Sequence, residues 1–140
     1  MSWAIFALLS AFFASLTAIL AKIGIKNVDS NLATAIRTVV ILIFAWSIVA
    51  FQGTFKGIGS ISKFSLLFLV LSGIATGLSW LFYFRALQIG NASQVAPIDK
   101  LSLALTLLLS ILILREKVTP SIIIGTILMI GGAIIVGFGK

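Results

Sequence analysis

Five long hydrophobic stretches follow one another along the chain, and each is close to the length at which a helix crosses a lipid bilayer. With 61% hydrophobic and 9% charged residues and a mean hydropathy of +1.27, the 140 residues have too little polar surface to cover a water-soluble domain. About 20 apolar residues in a helix span the hydrocarbon core. We therefore expect an all-α integral membrane protein, a single transmembrane domain over residues 1–140, with five helices at about residues 3–21, 32–51, 64–84, 92–114 and 122–138.

The chain lacks most of the side chains that enzyme and metal sites commonly use. There is no cysteine and no histidine, which excludes thiolate and imidazole ligands and Cys/His nucleophiles. Of the three carboxylates, Asp29 and Glu116 fall in predicted loops, so a hydrolytic carboxylate pair is not expected. We therefore expect no enzyme activity, no cofactor and no metal site.

The net charge of +7 comes from basic residues that lie mostly where the predicted spans meet water. In a soluble chain such a charge would suggest nucleic acid, but here we interpret it as anchoring to anionic headgroups. The longest connection, residues 52–63, carries several glycines and serines with isolated hydrophobic residues between them. This pattern predicts a flexible strand at the membrane interface.

Basic residues in the loops do not favour either face of the membrane. With five spans the termini lie on opposite faces, and the positive-inside rule compares the lysines and arginines on each. Four on the N-terminal face oppose four on the other: Lys56, Lys63, Arg115 and Lys117 against Lys22, Lys26, Arg85 and Lys140. Two interpretations follow, a dual-topology protein whose copies pair antiparallel, or one orientation fixed by the N-terminal amine or by lipid.

Three ionisable side chains fall inside predicted spans, where each costs roughly 2.5–3.5 kcal/mol on insertion scales and usually has a function. Arg37 lies about six residues into the second span, and Asp99 and Lys100 about eight or nine into the fourth, so all are roughly 9–14 Å from one face. Because adjacent helix residues point about 100° apart, we expect Arg37, and not Lys100, to pair with Asp99. The pair is either purely structural or part of a substrate site, and both interpretations leave Lys100 without a carboxylate.

Pro97 lies two residues before Asp99 in the fourth span. Its ring removes one helical hydrogen bond and frees the carbonyl of Ser93, so we expect the helix to break here. Lys100 points back toward the N-terminus and is within reach of that carbonyl, a substrate anion or water. A tolerated kink is the alternative, but Pro97-Ile98-Asp99-Lys100 in mid-span favours a binding site.

Polar and small residues repeat at helical spacing on the spans. Serines and threonines on the first four spans predict that these helices surround a polar path. Glycines are expected to pack against neighbouring helices or in a dimer, namely Gly73 and Gly77 in a GxxxG of the third span, and Gly125 and Gly132 in the fifth. Trp80 and Tyr83, near the end of the third span, are either part of an aromatic belt or a substrate platform.

The second half of the chain carries a series of short motifs, in order Ala86-Leu87, Gly90, Ala92-Ser93-Gln94-Val95-Ala96-Pro97-Ile98-Asp99-Lys100-Leu101-Ser102, Arg115-Glu116-Lys117, Gly125 and Gly131-Gly132. Together they resemble the EamA-type repeat of the drug/metabolite transporter superfamily. With Lys22 and Arg37 the resemblance covers the whole chain and is closest to the small five-helix bacterial and archaeal branch. Larger relatives carry two such repeats in opposite orientations, which implies that this chain is one inverted-repeat unit of a ten-helix transporter dimer in a prokaryotic cytoplasmic (inner) membrane.

The residues and the resemblance together predict a secondary transporter that exports a small anionic or zwitterionic metabolite by alternating access, as an antiparallel homodimer. Candidate substrate-binding residues are Arg37, Trp80, Tyr83, Gln94, Asp99 and Lys100, with Asp99 as the candidate proton carrier. Two alternatives stay open, a non-transporting subunit or assembly partner of another membrane protein, and a flippase for a lipid-linked anion. The expected partners are the lipid bilayer, a second copy of the chain and a small-molecule substrate, and not nucleic acid.

Overall fold

The computed structural model describes residues 3–139, and within them it contains helices and turns but no strand. The α-helices are α1 (Trp3–Gly24), α2 (Ser30–Phe51), α3 (Lys63–Ile89), α4 (Ala92–Asp99), α5 (Ser102–Leu109) and α6 (Pro120–Phe138). Five segments of this part of the chain are long and apolar enough to cross a membrane, and the fourth, Ala92–Leu114, joins α4, α5 and a π-helical turn at Ser110–Leu114. The expectation of an all-α membrane protein with five transmembrane helices is confirmed.

The helix ends follow local capping chemistry. The Asp29 carboxylate accepts the backbone N–H groups of Asn31 and Leu32 at 2.9 and 3.1 Å, so α2 begins two residues earlier than the hydrophobic pattern predicts. Pro120 occupies the first turn of α6. Proline is tolerated there because backbone N–H groups in the first turn have no acceptor within the helix. Helix α3 runs on to Ile89, beyond the predicted end at residue 84, because good helix formers follow the aromatic cluster.

The connection between α2 and α3 differs from the predicted strand. Residues Thr54–Ser60 form a 3₁₀ helix, and Gly53 precedes it with a φ of +68° that favours glycine. The ring of Phe55 stacks on Trp46 of α2, with 5.3 Å between centroids and 18° between planes. The prediction of an extended segment was wrong because the aromatic residue folds back onto α2 and does not lie free at the interface.

The described chain falls into two compact units, residues 3–20 with 89–139, and residues 21–88. In the first unit α6 packs along α4 and also contacts α5, with Ala133 buried. In the second unit the buried side chains lie near one end of α2 and α3: Ala21, Ile25, Ser30, Thr34, Phe84 and Leu87. Most of the large apolar side chains of residues 39–51 and 64–78 are exposed within this unit. The single transmembrane domain over residues 1–140 stays a prediction.

Two side-chain hydrogen bonds hold the end of α1 and the following turn against the last turn of α3, and a third within α3 supports them. The Lys22 ammonium donates to the Leu87 carbonyl at 2.6 Å, and the Gln88 amide donates to the Val28 carbonyl at 2.9 Å. Arg85 donates to the Gln88 side-chain oxygen at 2.8 Å, which fixes that amide in place. A lysine is well suited to this position, because the last carbonyls of a helix lack backbone partners and carry partial negative charge.

Replacing Gln88 by leucine is expected to lower the free energy of unfolding by about 1–3 kcal/mol, because the Val28 carbonyl loses its donor in a partly buried position. The measurement is an SDS titration of the purified protein followed by circular dichroism. The matched control is Gln52→Leu, because Gln52 is exposed at the end of α2. Equal unfolding midpoints for the two variants would contradict a stabilising role for the Gln88 contact.

Candidate functional site

Arg37 of α2 lies against two aromatic rings of α3. Its guanidinium carbon is 4.5 Å from the centroid of the Phe84 ring and 5.3 Å from that of Trp80. Trp80 and Phe84 are four residues apart, so they lie on the same face of α3, one turn apart. Such cation–π contacts contribute about 0.5–1 kcal/mol at exposed sites and about 2 when water is excluded. They offset part of the cost of a cation inside an apolar span.

The rings cover faces of the guanidinium but accept none of its N–H donors. Among residues 21–88 Arg37 has no hydrogen bond and no ion pair, although its side chain is half-buried. The donors of a guanidinium lie in its plane and match the two oxygens of a carboxylate. Arg37 is therefore set up to receive a planar anion at its edge.

Asp99 and Lys100 form an ion pair with 3.2 Å between the Lys100 ammonium and a carboxylate oxygen. The prediction that Lys100 has no carboxylate partner was wrong. Regular helical geometry ends at Asp99, and Lys100 and Leu101 form a turn, so the 100° separation of helix neighbours does not hold here. The long lysine side chain folds back to its neighbour, while the predicted Arg37–Asp99 pair stays a prediction.

The fourth span is interrupted at Lys100 and Leu101, and not at Pro97 itself. Pro97 lies inside α4, because its fixed φ is compatible with a helix even though its N–H is missing. The chain then tightens, with the Lys100 N–H bonded to the Pro97 carbonyl at 3.1 Å and the Leu101 N–H bonded to Ile98 at 3.0 Å. Irregular backbone at membrane depth is tolerated where it is covered by protein or lines a cavity.

The remaining predicted site residues divide between the two clusters. Tyr83 is half-buried and lies edge-on to Phe84, with 6.3 Å between ring centroids, so it belongs to the Arg37 cluster. Gln94 is half-buried in α4, and its side-chain oxygen accepts from the Asn91 amide at 3.3 Å. Phe84 was missed as a site residue, although its spacing of four from Trp80 indicates a shared face.

The predicted packing glycines have no close neighbour within residues 3–139. A side-chain carbon added at any of four positions meets nothing within 4 Å: Gly73, Gly77, Gly125 and Gly132. Their packing against another molecule stays a prediction. Gly137 is different, because the same carbon would run into the Ile98 side chain of α4. The absence of a side chain at Gly137 thus lets α6 approach the residue that precedes Asp99.

Replacing Gly137 by alanine is expected to destabilise the protein by about 1–3 kcal/mol, because the added methyl group overlaps the Ile98 side chain, which must leave its packed position. Thermal unfolding in detergent measures the change. Gly131→Ala is the matched control on the same helix, since open space surrounds that position. The second substitution Ile98→Ala should restore much of the loss, and a double variant as unstable as Gly137→Ala would argue against this contact.

Comparisons with known proteins agree with this architecture. The sequence profile of the EamA-like transporter family matches residues 1–138. A relative from Sinorhizobium sp, described as "Uncharacterized transporter in cobO 3'region", is 47% identical over 134 residues, which cover 96% of this chain and 95% of the relative. No solved structure matches the chain. Because the profile covers almost all of a chain that has five membrane-spanning segments, this protein belongs to the EamA-like transporter family of membrane transport proteins.

Proposed function

We propose that two copies of this chain form an antiparallel homodimer in a prokaryotic cytoplasmic (inner) membrane and export a small anionic or zwitterionic metabolite by alternating access. The observation that carries the proposal is Arg37, a guanidinium on a membrane-spanning helix that is stacked on two rings and has no acceptor among residues 21–88. A charge inside a span is expensive and marks a functional position. The cation–π contacts offset part of this free-energy cost, and a bound anion would offset the rest.

The chemistry of the Arg37 cluster favours a carboxylate as the group it binds. Arginine holds a carboxylate through two parallel hydrogen bonds, and both are strengthened by the low dielectric of the span. The rings of Trp80 and Phe84 restrict the side chain, so less rotamer freedom is lost when the ligand binds. Lipophilic cations, in contrast, would meet a like charge at this position.

Asp99 and Lys100 supply a second pair of charges, at the junction of α4 and α5. Their side chains are 36% and 56% exposed, so the pair is open to a ligand. A zwitterion would match both charges, and with Arg37 the three side chains sum to +1 per subunit. Protonation of Asp99 would release Lys100 to an anion, which gives a route for coupling to a proton gradient. A substrate gradient is the other source of energy.

A second copy is favoured by the apolar surface and the open glycines of the spans. Most of the large apolar side chains of residues 39–51 and 64–78 are exposed, and Gly73, Gly77, Gly125 and Gly132 have open space beside them. Small residues let transmembrane helices approach closely. The equal numbers of basic loop residues on the two faces favour a partner in the opposite orientation. A pseudo-twofold axis in the membrane plane is the symmetry of inverted-repeat transporters.

The direct test is transport by purified protein in liposomes. We expect saturable uptake of at least one member of a panel of radiolabelled carboxylates and amino acids, and no uptake of lipophilic cations. Movement of lipophilic cations alone would contradict the anion site. If no compound moves and the protein does not self-associate, the non-transporting subunit becomes the better description. Movement of a lipid-linked anion between leaflets would instead identify a flippase.

A further inference from the structure

A cavity beside the end of α1 has no part in the proposed transport site. Its volume is about 490 Å³, and it is lined by Lys22, Ile23, Ile25, Lys26 and Gln88. Helix α1 is 22 residues long and ends at Gly24. Gln88 of the cavity wall lies in the last turn of α3, which ends at Ile89. A helix of this length just crosses the hydrocarbon core, so its last residues reach the lipid headgroups. The cavity, which these residues line, therefore lies at the level of the headgroups.

The charge of the side chains that line this cavity is positive. Lys22 and Lys26 both line the cavity, and Lys26 is exposed with no hydrogen bond or ion pair among residues 21–88. Asp29, the carboxylate of this unit, caps α2 through one of its oxygens. Arg85 adds a third cation, held against Gln88 of the cavity wall. The cavity therefore attracts an anion.

The hydrogen bonds around the cavity fix the position of its cationic groups. Lys22 donates to the Leu87 carbonyl at 2.6 Å, which places its ammonium at the cavity wall. Gln88 is held from both sides, by Val28 and by Arg85. The wall is thus ordered before any ligand arrives, which lowers the entropic cost of binding.

Aliphatic surface adjoins the cationic groups. Ile25 is 2% exposed and forms a rigid part of the wall, whereas Ile23 is 69% exposed on the last turn of α1. A free anion would contact the lysines only. A lipid would place its phosphate near the lysines and an acyl chain along Ile23, since both groups lie at the boundary between headgroups and hydrocarbon.

We infer that this cavity binds the phosphodiester headgroup of an anionic membrane lipid, with the phosphate between Lys22 and Lys26. The bound lipid offsets part of the positive charge of the cavity and ties the end of α1 to the surrounding leaflet. In an antiparallel dimer each leaflet would contain one such site.

The test is native mass spectrometry of the detergent-purified full chain with phosphatidylglycerol added. The variant is Lys26→Gln, because Lys26 has no structural hydrogen bond, and the matched control is Lys63→Gln, an exposed lysine of the opposite face. We expect Lys26→Gln to retain about fivefold less phosphatidylglycerol, the loss that one lysine near a membrane surface implies. Lys63→Gln and Lys22→Arg should retain as much as the wild-type chain.

Two further ligands separate a lipid site from a free-anion site. Phosphatidylcholine should be retained less than phosphatidylglycerol by the wild-type chain, and glycerol 1-phosphate, which lacks acyl chains, should not displace the bound lipid. Equal loss in Lys26→Gln and Lys63→Gln would overturn the inference, because it would indicate general attraction to a basic surface. Displacement by glycerol 1-phosphate, or equal retention of both lipids, would overturn it as well.

Discussion

Arg37→Gln is expected to abolish transport of a carboxylate substrate while the protein still inserts and folds. Glutamine cannot offer a charged, two-pronged donor, and hydrogen bonds to a charged group contribute about 1.5–3 kcal/mol each. Loss of two such bonds lowers binding by at least about 100-fold. Insertion should improve, because a neutral side chain costs less than arginine inside a span. Transport of the carboxylate into liposomes is the measurement.

Two further variants separate the role of the guanidinium from that of its charge. Arg37→Lys keeps the charge but loses the planar fork and its stacking on Trp80 and Phe84, so we expect transport to fall by about tenfold or more. Arg115→Lys removes the guanidinium of an arginine that is exposed in a loop, keeps the numbers of basic loop residues equal on the two faces, and should leave transport unchanged. Normal transport by Arg37→Gln would show that the anion binds elsewhere.

Asp99→Asn and Lys100→Ala are each expected to abolish transport while leaving the dimer intact. Each substitution leaves the other member of the 3.2 Å ion pair without its counter-charge inside a span. On the proposed mechanism Asp99→Asn also removes the proton carrier, and Lys100→Ala removes one of the two cations that hold the substrate. Transport in liposomes and chemical cross-linking of the dimer give the two readouts.

The double variant Asp99→Asn with Lys100→Gln distinguishes a functional pair from a structural one. If the pair only stabilises the junction of α4 and α5, removing both charges should restore transport, because no unpaired charge is left. We expect protein yield to recover and transport to stay absent. Glu116→Gln with Lys117→Gln removes adjacent opposite charges in an exposed loop and is the matched control. Full transport by the Asp99/Lys100 double variant would reduce the pair to a structural role.

Much of the secondary structure could be predicted from the sequence, because a span in lipid needs little more than length and apolar composition. The five spans match, and the differences lie at their ends. Asp29 moves the start of α2 back to Ser30 through its two accepted hydrogen bonds. Phe55 folds onto Trp46 and makes a 3₁₀ helix of a segment predicted to be extended. Both depend on single side chains that hydropathy does not describe.

The candidate site was predicted less completely, because it depends on which side chains meet. Arg37, Asp99 and Lys100 were proposed as site residues because of their cost inside a span, and the prediction that Lys100 lacks a carboxylate partner was wrong. Lys100 reaches Asp99 because the helix is interrupted after Asp99 and not at Pro97, where the break was predicted. The rings that flank Arg37 belong to Trp80 and Phe84 of α3. Their spacing predicts a shared helix face, but it does not predict which cation they contact.

The most direct test of the antiparallel dimer is cysteine labelling in intact cells, which is simple because the chain has no cysteine. Gly57→Cys and Asn27→Cys lie in connections on opposite faces, and a side chain at Gly57 meets nothing within 4 Å. Gly139 is a poor choice, since an added side chain would collide with the Ile135 carbonyl. With a membrane-impermeant maleimide we expect each single variant to be about half labelled, because copies insert both ways. Full labelling of one variant and none of the other would contradict a dimer of oppositely oriented copies.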